Sequence, residues 1–438
     1  MERPQKFPAD RLIVFGRYPV PGRTKTRLIP VLGPTGAAEL HRILTENTLK
    51  TVKAFTESHW ISYEVCFEGG SVDKMLRWLG SGIHFSKQHK GDLGRRMQFA
   101  FADAFRNGFK RVVLVGTDIP ELRKDHLKSA FDALSDHDIV LGPSTDGGYW
   151  LIGLRGQVDV FRGIDWGTKE VLEQTLDLAK QQGRKICLLD PLDDLDTTDD
   201  LKVLNSDILP SGPYLSVIVP ALNEAKNIET AVQRAGNPDA EVIVVDGGSI
   251  DDTAPKAQHA GARVVKSPCG RARQQNFGAK SALGKVFLFL HADTVLPAGY
   301  VNDVFETLMD PRAVLGAFRF KTDLKHPLMK VLEFLTNFRS RYLKLPYGDQ
   351  CLFMRRSVFE SVGGFPEVSI AEDLYLVRRL SRLGGILISP SYAVTSGRRW
   401  QTVGLLRTTM INQIILAGIA LGIVPHVLAS LYPVSRRH

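Results

Sequence analysis

A short apolar run that stops at turn-forming residues, followed by a helical stretch, recurs along this 438-residue chain. Leu12-Ile-Val-Phe15 ends in Gly-Arg-Tyr-Pro-Val-Pro-Gly, and Leu215-Ser-Val-Ile-Val219 ends in Pro-Ala-Leu-Asn-Glu. Runs this short and this apolar read as buried strands feeding a loop. Val112–Val115 then leads to Asp118, and Val286–Leu290 leads to Asp293. A lone acid past a strand's carboxyl end lies where open α/β sheets bind ligands. Helical periodicity fits between these runs, over 35–56, 169–182, 226–234 and 252–261. The alternation predicts an α/β fold of two tandem domains with mostly parallel sheets. At about 100–200 residues per domain, the length agrees. The expected domains are 1–208 and 214–438, joined through Asn205-Ser-Asp-Ile-Leu-Pro-Ser-Gly-Pro213, a stretch rich in turn formers.

The net charge of +9 is unevenly placed. From Leu374 to His438 the chain has eight Arg and no Lys, Asp or Glu. The remainder is nearly balanced, and no aromatic–basic interleaving occurs, so a nucleic-acid partner is not expected. Phosphate groups or an anionic lipid fit the local excess better. Four scattered cysteines argue against a disulfide scaffold or a zinc site and for a reducing compartment. The first apolar run is too short for a signal segment, and a cytoplasmic location is expected. No Walker A loop, G-x-G-x-x-G after a strand, G-x-S-x-G or H-E-x-x-H is present.

In the C-terminal half, Glu224 and Asp246 each follow an apolar strand, where a carboxylate can bind a ribose or base edge. Arg271-Ala-Arg273-Gln-Gln-Asn276 offers cations and amides for phosphate, and Asp293 is a hard oxygen ligand suited to Mg2+ or Mn2+. Gly348-Asp349-Gln350 and Glu372-Asp373 complete the polar set, although the acid pair equally suits the first turn of a helix. Arg398-Arg399-Trp400 could clamp a diphosphate or form a basic surface patch. In the N-terminal half, Arg23, Lys25 and Arg27 form a cation-rich loop, with Asp118 and Asp146 as candidate metal ligands. The Asp190–Asp200 run, with six Asp, reads as a solvated loop and helix start.

The stretches SVIVPALNE, VIVVDGGSIDDT, GRARQQNFGA, LFLHADTVLP, YGDQCLFMRR, GGFPE, AEDLYLVRRL and SGRRW resemble family-2 glycosyltransferases of GT-A fold. More narrowly, they resemble the transferase 2 branch of the radical-SAM/selenodomain-associated glycosyltransferases. PVPGRTKTRL, GTDIP, VLGPSTDGGYWLIGL, IDWGT and DLDTTDDL resemble its partner, the transferase 1 or arsenosugar-biosynthesis-like kind, whose fold is that of nucleotidyltransferases. The resemblance implies two nucleotide-diphospho-sugar transferase domains and a nucleotide-sugar donor. It implies that Glu224 and Asp246 hold the nucleoside, with Arg273 and Asn276 nearby. Asp293 stands for the metal-binding acid, although Ala292-Asp293-Thr294 keeps only one acid of D-x-D. Asp373 would be the general base of an inverting displacement, with Asp349, Gln350, Glu372, Arg398, Arg399 and Trp400 around diphosphate and acceptor. In the other half, Arg23, Lys25 and Arg27 would contact phosphates, and Asp118 and Asp146 a metal. That half reads as a second glycosyltransferase, as a nucleotidyltransferase supplying the sugar nucleotide, or as a scaffold.

Ile414–Val424 is apolar for 11 residues. A membrane-spanning helix needs about 20, and shorter runs lie at an interface or in a core. With Arg407 and Arg436-Arg437 on its flanks, the run predicts peripheral contact with the inner face of the membrane. The acceptor is then a small molecule or a lipid-like one such as a carotenoid acid.

Overall fold

The computed structural model describes residues 8–202, 212–421 and 423–431. The expected join at 205–213 lies almost wholly outside the described residues, as do Arg436 and Arg437. The chain divides into two compact units, Met1–Pro210 and Ser211–His438.

The first unit is built on seven strands: β1 (Asp10–Arg17), β2 (Ser62–Glu68), β3 (His84–Lys87), β4 (Arg111–Val115), β5 (Ile139–Pro143), β6 (Tyr149–Leu154) and β7 (Ile186–Leu188). They lie in the order β3-β2-β1-β4-β6-β5-β7. Strands β3, β2, β1 and β4 are parallel, and β6 alone runs against its neighbours. Leu12, Ile13 and Val14 are fully buried, as a central strand covered on both faces must be. The long helix Ile29–Thr56 is interrupted at Gly33, whose φ of 70° and ψ of 165° leave the helical region just before Pro34. Proline disfavours helical geometry in the residue before it, which accounts for the break.

The second unit carries β8 (Leu215–Ala221), β9 (Ala240–Asp246), β10 (Arg263–Lys266), β11 (Val286–Phe289), β12 (Thr294–Val295), β13 (Ala313–Thr322), β14 (Phe353–Arg355) and β15 (Gly385–Thr395). Their order is β10-β9-β8-β11-β14-β13-β15-β12, with the first four parallel. The helix Arg271–Ser281 lies directly on this sheet. A Cβ at its Gly278 would stand 2.5 Å from Ile218 and 2.8 Å from Val245, so only glycine permits the approach.

In both sheets, successive crossovers run outward in one direction and then reverse. The reversal falls between β1 and β4 in one unit and between β8 and β11 in the other. A crevice opens at the carboxyl ends of strands at such a reversal. The loops leaving these four strands carry Lys25, Asp118, Glu224 and Asp293.

Candidate active sites

At the β8/β11 crevice, one buried side chain sets the frame. Gln274 Nε2 donates to the carbonyls of Ala221 (2.9 Å) and Val245 (2.8 Å), tying the ends of two neighbouring strands together. The loops beyond are cross-linked as well. Asn223 N donates to Ser249 Oγ at 2.9 Å, and Ile250 N donates to Asn223 Oδ1 at 2.9 Å. Asp246 is buried and accepts from Ser249 N (3.1 Å) and Ser249 Oγ (2.5 Å). Glu224 Oε1 accepts from the Arg398 guanidinium at 2.8 Å.

Asp293 follows β11 in the same crevice. Burial raises its pKa and the charge of Glu224 adds to the effect, while Arg398 and Arg271 oppose it. Asp349 sits on a single turn, Gly348–Gln350. Burial lifts its carboxyl to about 6, with Arg339 opposing and Asp373 and Asp293 contributing. Its Oδ1 is buried without a hydrogen-bond partner. Asp373 Oδ2 accepts from Gly348 N at 2.7 Å, and its Oδ1 from Leu374 N at 2.8 Å. A Cβ on Gly348 would lie 2.9 Å from His291 Nε2 and 3.2 Å from Asp373 Oδ2, so His291, Gly348 and Asp373 share one small space. Strain marks the same region. Asn223 (φ 54°), Cys351 (φ 50°) and Ala371 (φ 60°) are left-handed non-glycine residues, each adjacent to Glu224, Gln350 or Glu372. Such conformations persist only where surrounding structure enforces them, and they cluster at functional sites.

The donor set is one of hard carboxylate oxygens, suited to Mg2+ or Mn2+. Among the described residues, no group of three or more His, Cys, Asp or Glu could by itself hold a metal. A cation at Asp293 would therefore take further oxygens from outside the protein, as Mg2+ does with substrate phosphates.

At the β1/β4 crevice lies a cleft of about 530 Å3, lined by Arg17, Arg23, Arg27, Arg96, Asp118 and Asp194 among others. Lys25, itself left-handed (φ 49°), buries its ammonium against Asp118 Oδ2 (3.1 Å), Asp196 Oδ1 (3.4 Å) and the Leu195 carbonyl. His41 Nδ1 approaches Asp118 Oδ1 at 3.4 Å while its Nε2 meets the Arg17 carbonyl at 3.0 Å. Burial opposes ionisation of Asp118, but Lys25 and His41 outweigh it and hold the carboxyl well below its usual range.

Residues 51–168 match the family described as an uncharacterized protein conserved in bacteria, DUF2064, and residues 216–363 match glycosyl transferase family 2. The chain is similar to a Desulfovibrio desulfuricans protein assigned as a nucleotide-diphospho-sugar transferase. They share 34% identity over 47% of this chain and 89% of that one, with a TM-score of 0.43. The chain carries a glycosyl transferase family 2 domain. It is also similar to a mannosyltransferase of Pyrobaculum calidifontis solved with GDP-mannose and Mn2+ (23% identity, 42% of this chain, 56% of that one, TM-score 0.35). It thus spans little more than half the length of that relative. A third similar structure is glucosyl-3-phosphoglycerate synthase of Mycobacterium tuberculosis with Mn2+ and UDP (23% identity, 44% of this chain, 76% of that one, TM-score 0.34). No curated protein matches the chain.

In this transferase the expected family-2 residues Glu224, Asp246, Asp293, Asp349 and Asp373 all gather at one crevice. Glu372 is buried beside them, 3.7 Å from Arg271 Nε. Trp400 has its indole N–H buried without a partner and its ring 6.1 Å from that of Phe320. The Arg399 side chain lies outside the described ones.

Two of the expected binding amides need correction. Asn276 does not face a nucleotide: its amide donates to Phe365 O (2.8 Å) and accepts from Phe365 N (2.9 Å), so it pins the Gly363-Gly364-Phe365 turn. Gln350 is fully buried, donating to Phe318 O (2.9 Å) and accepting from Ser340 Oγ (2.6 Å), which makes it a structural residue. Arg273 is exposed and pairs with the equally exposed Glu367 at 2.9 Å, which leaves its guanidinium accessible to a phosphate.

The N-terminal metal pair is not assembled either. The ammonium of Lys25 takes the cation's place on Asp118, and Asp146 Oδ1 accepts from Gly148 N (2.9 Å) and Ser144 Oγ within its own turn. These residues do not fit a divalent ion. Arg27 reaches Asp196 at 3.0 Å, and Arg23 lines the cleft.

The Asp190–Asp200 run is the expected loop and helix start, with Asp190, Asp193 and Asp199 exposed and a helical turn over Asp200–Lys202, but it is also anchored to the site. Leu192, Leu195 and Leu201 are buried, Leu195 N donates to Asp118 O at 2.9 Å, and Asp194 lines the cleft. Burial, then the charges of Asp146 and Asp196, push Asp194 up to about 6. The leucines within the acidic run were its only signal. His41, on a long helix, gave none.

Proposed function

We propose that the C-terminal unit moves a sugar with inversion from a nucleoside-diphosphate donor to a hydroxyl or carboxyl acceptor. The observation that carries this reading is the convergence of Asp293, Asp349 and Asp373 at the crevice that Glu224 and Asp246 also line. Glu224 and Asp246 hold the nucleoside, and Arg271 and Arg398 meet the diphosphate. Asp293 would hold a divalent cation, whose charge offsets that developing on the departing diphosphate. The acceptor oxygen attacks the anomeric carbon, the bond from that carbon to the diphosphate oxygen breaks, and the hydroxyl proton passes to Asp373. No covalent intermediate is needed. The two amide hydrogen bonds to Asp373 fix its carboxylate and leave lone pairs on both oxygens for the proton. An ionised carboxyl acceptor has no proton to lose, so it would not need this base.

The two halves are read as a fused pair of the transferase 1 and transferase 2 kinds. In the N-terminal unit, Arg23 and Arg27 would meet donor phosphates beside an internal ammonium on Asp118. The test is nucleotide-sugar turnover with Mn2+ by the full chain and by Asp373→Asn. Loss of about 100-fold or more is expected with a hydroxyl acceptor. Equal turnover in the two proteins removes Asp373 as base. Release of pyrophosphate from nucleoside triphosphate and sugar 1-phosphate would instead make the N-terminal unit a nucleotidyltransferase.

A further inference from the structure

The helix Pro327–Tyr342 is built inside out. Its sheet-facing side is held by polar groups. Glu333 Oε1 accepts from Thr322 N (2.8 Å), Asn337 exchanges two hydrogen bonds with the main chain of Phe320 (2.8 and 2.9 Å), and Ser340 Oγ donates to Gln350 (2.6 Å). Its outward side carries Leu328, Val331, Phe334, Leu335, Phe338 and Tyr342, which are 48–67% exposed. At 100° per residue these six fall within an arc of about 120°, one continuous apolar face. A helix turned this way loses hydrophobic stabilisation in water, which implies a covering partner.

Charge selects that partner. Between Lys325 and Lys344 the chain has five cations, of which Arg339 turns inward onto the Tyr347 ring and the Leu345 carbonyl, leaving four, and one acid, Glu333, which is turned inward onto Thr322. Two copies of this face would repel each other, whereas an anionic lipid surface complements it. Aromatic rings on the apolar side with Lys and Arg at the edges form the pattern of a helix lying in a bilayer interface. Among the described residues no helix is long and apolar enough to cross a membrane.

The helix also leads into the site. It is followed by Leu345-Pro346-Tyr347 and then by Gly348 and Asp349. Leu345 and Tyr347 pack with Leu374, which follows Asp373, and with Ile415 and Ile419 of the helix Leu405–Ala420. That second helix exposes Met410 and Ile414. We infer that the Pro327–Tyr342 helix seats the protein on an anionic bilayer, so that Asp373 works beside the lipid surface and the acceptor enters from it. The choice of a lipid-like acceptor rests on the proposed transfer reaction; the docking itself does not.

The test is co-sedimentation of the full chain with phosphatidylcholine vesicles, with and without phosphatidylglycerol. Wild type should sediment with the anionic vesicles and dissociate as salt rises. The triple variant Phe334→Gln, Leu335→Gln, Phe338→Gln should bind them at least about tenfold less, given the apolar area removed. Its melting temperature and its nucleotide-sugar hydrolysis in solution should be unchanged. Wild type that ignores anionic vesicles overturns the inference. So does a variant that binds as wild type does, or a wild-type dimer that the variant dissolves without any vesicle binding. Vesicle binding that survives in an inactive Asp373→Asn protein leaves this surface standing whatever becomes of the reaction.

Discussion

Gly348→Ala is the sharpest probe of the proposed base. Gly348 is not among the left-handed glycines, so alanine brings no backbone strain there. The added methyl would lie 2.9 Å from His291 Nε2 and 3.2 Å from Asp373 Oδ2, where ordinary contacts begin at 3.4 Å. To restore ordinary contact His291 must give by about 0.5 Å and Asp373 by about 0.2 Å, and Gly348 N also donates to the same Asp373 oxygen at 2.7 Å. A displacement of about 1 Å at a reacting group costs about 100-fold, so about 0.2 Å at Asp373 predicts about two- to threefold in kcat. Nucleoside binding at Glu224 and Asp246 should be untouched, leaving the donor KM within about twofold. Overpacking should lower stability by about 1–3 kcal/mol. The assay is steady-state nucleotide-sugar turnover with Mn2+, alongside thermal melting. A folded Gly348→Ala protein with wild-type kcat would show that the Asp373–Gly348 geometry is not that of the reacting site. A changed KM at constant kcat would place the donor, and not the acceptor, at this turn.

The other two outcomes concern buried charge. Lys25→Met leaves Asp118 and Asp196 without their ammonium; removing one partner of a buried pair costs about 3–5 kcal/mol. Because the Asp118 and Asp196 side chains are 36% and 42% exposed, solvent reduces this to about 1–3 kcal/mol. Chemical denaturation monitoring the N-terminal unit should show it, and an unshifted transition would mean that water alone satisfies Asp118. Asp349 titrates near 6 in the folded protein against about 3.9 in an unfolded chain. The folded state therefore binds its proton more tightly, and its stability falls as pH rises from about 4 to about 6, staying reduced above that. In Asp349→Asn this decline should be smaller, with the part due to Asp194 remaining. Melting temperatures across that window that run parallel in the two proteins would contradict the burial of an ionisable Asp349.

Most of the scaffold is written in local pattern. The runs at Leu12, Val112, Leu215, Val242 and Val286 became β1, β4, β8, β9 and β11, because a strand buried on both faces must be continuously apolar. The carboxyl-end acids followed, since backbone direction alone places them. Side-chain partners were not legible in the same way. Asn276 and Gln350 look like binding amides in sequence, yet both are consumed by main-chain groups distant in the chain, Phe365 and Phe318. The acidic run at 190–200 keeps Asp190, Asp193 and Asp199 at the surface as its composition suggests, but its spacing does not show that its leucines enter a core and its main chain joins Asp118.

What the sequence determined by itself is thus the two α/β units, their crevices, and the acids that line them. These depend on periodicity and chain direction, which are local. The tertiary structure alone decided which charges meet: Lys25 on Asp118 in place of a metal, Asp349 beside Asp373, and an apolar helix face turned outward. Those outcomes depend on which distant groups share a desolvated space, and nothing in the spacing along a chain records that.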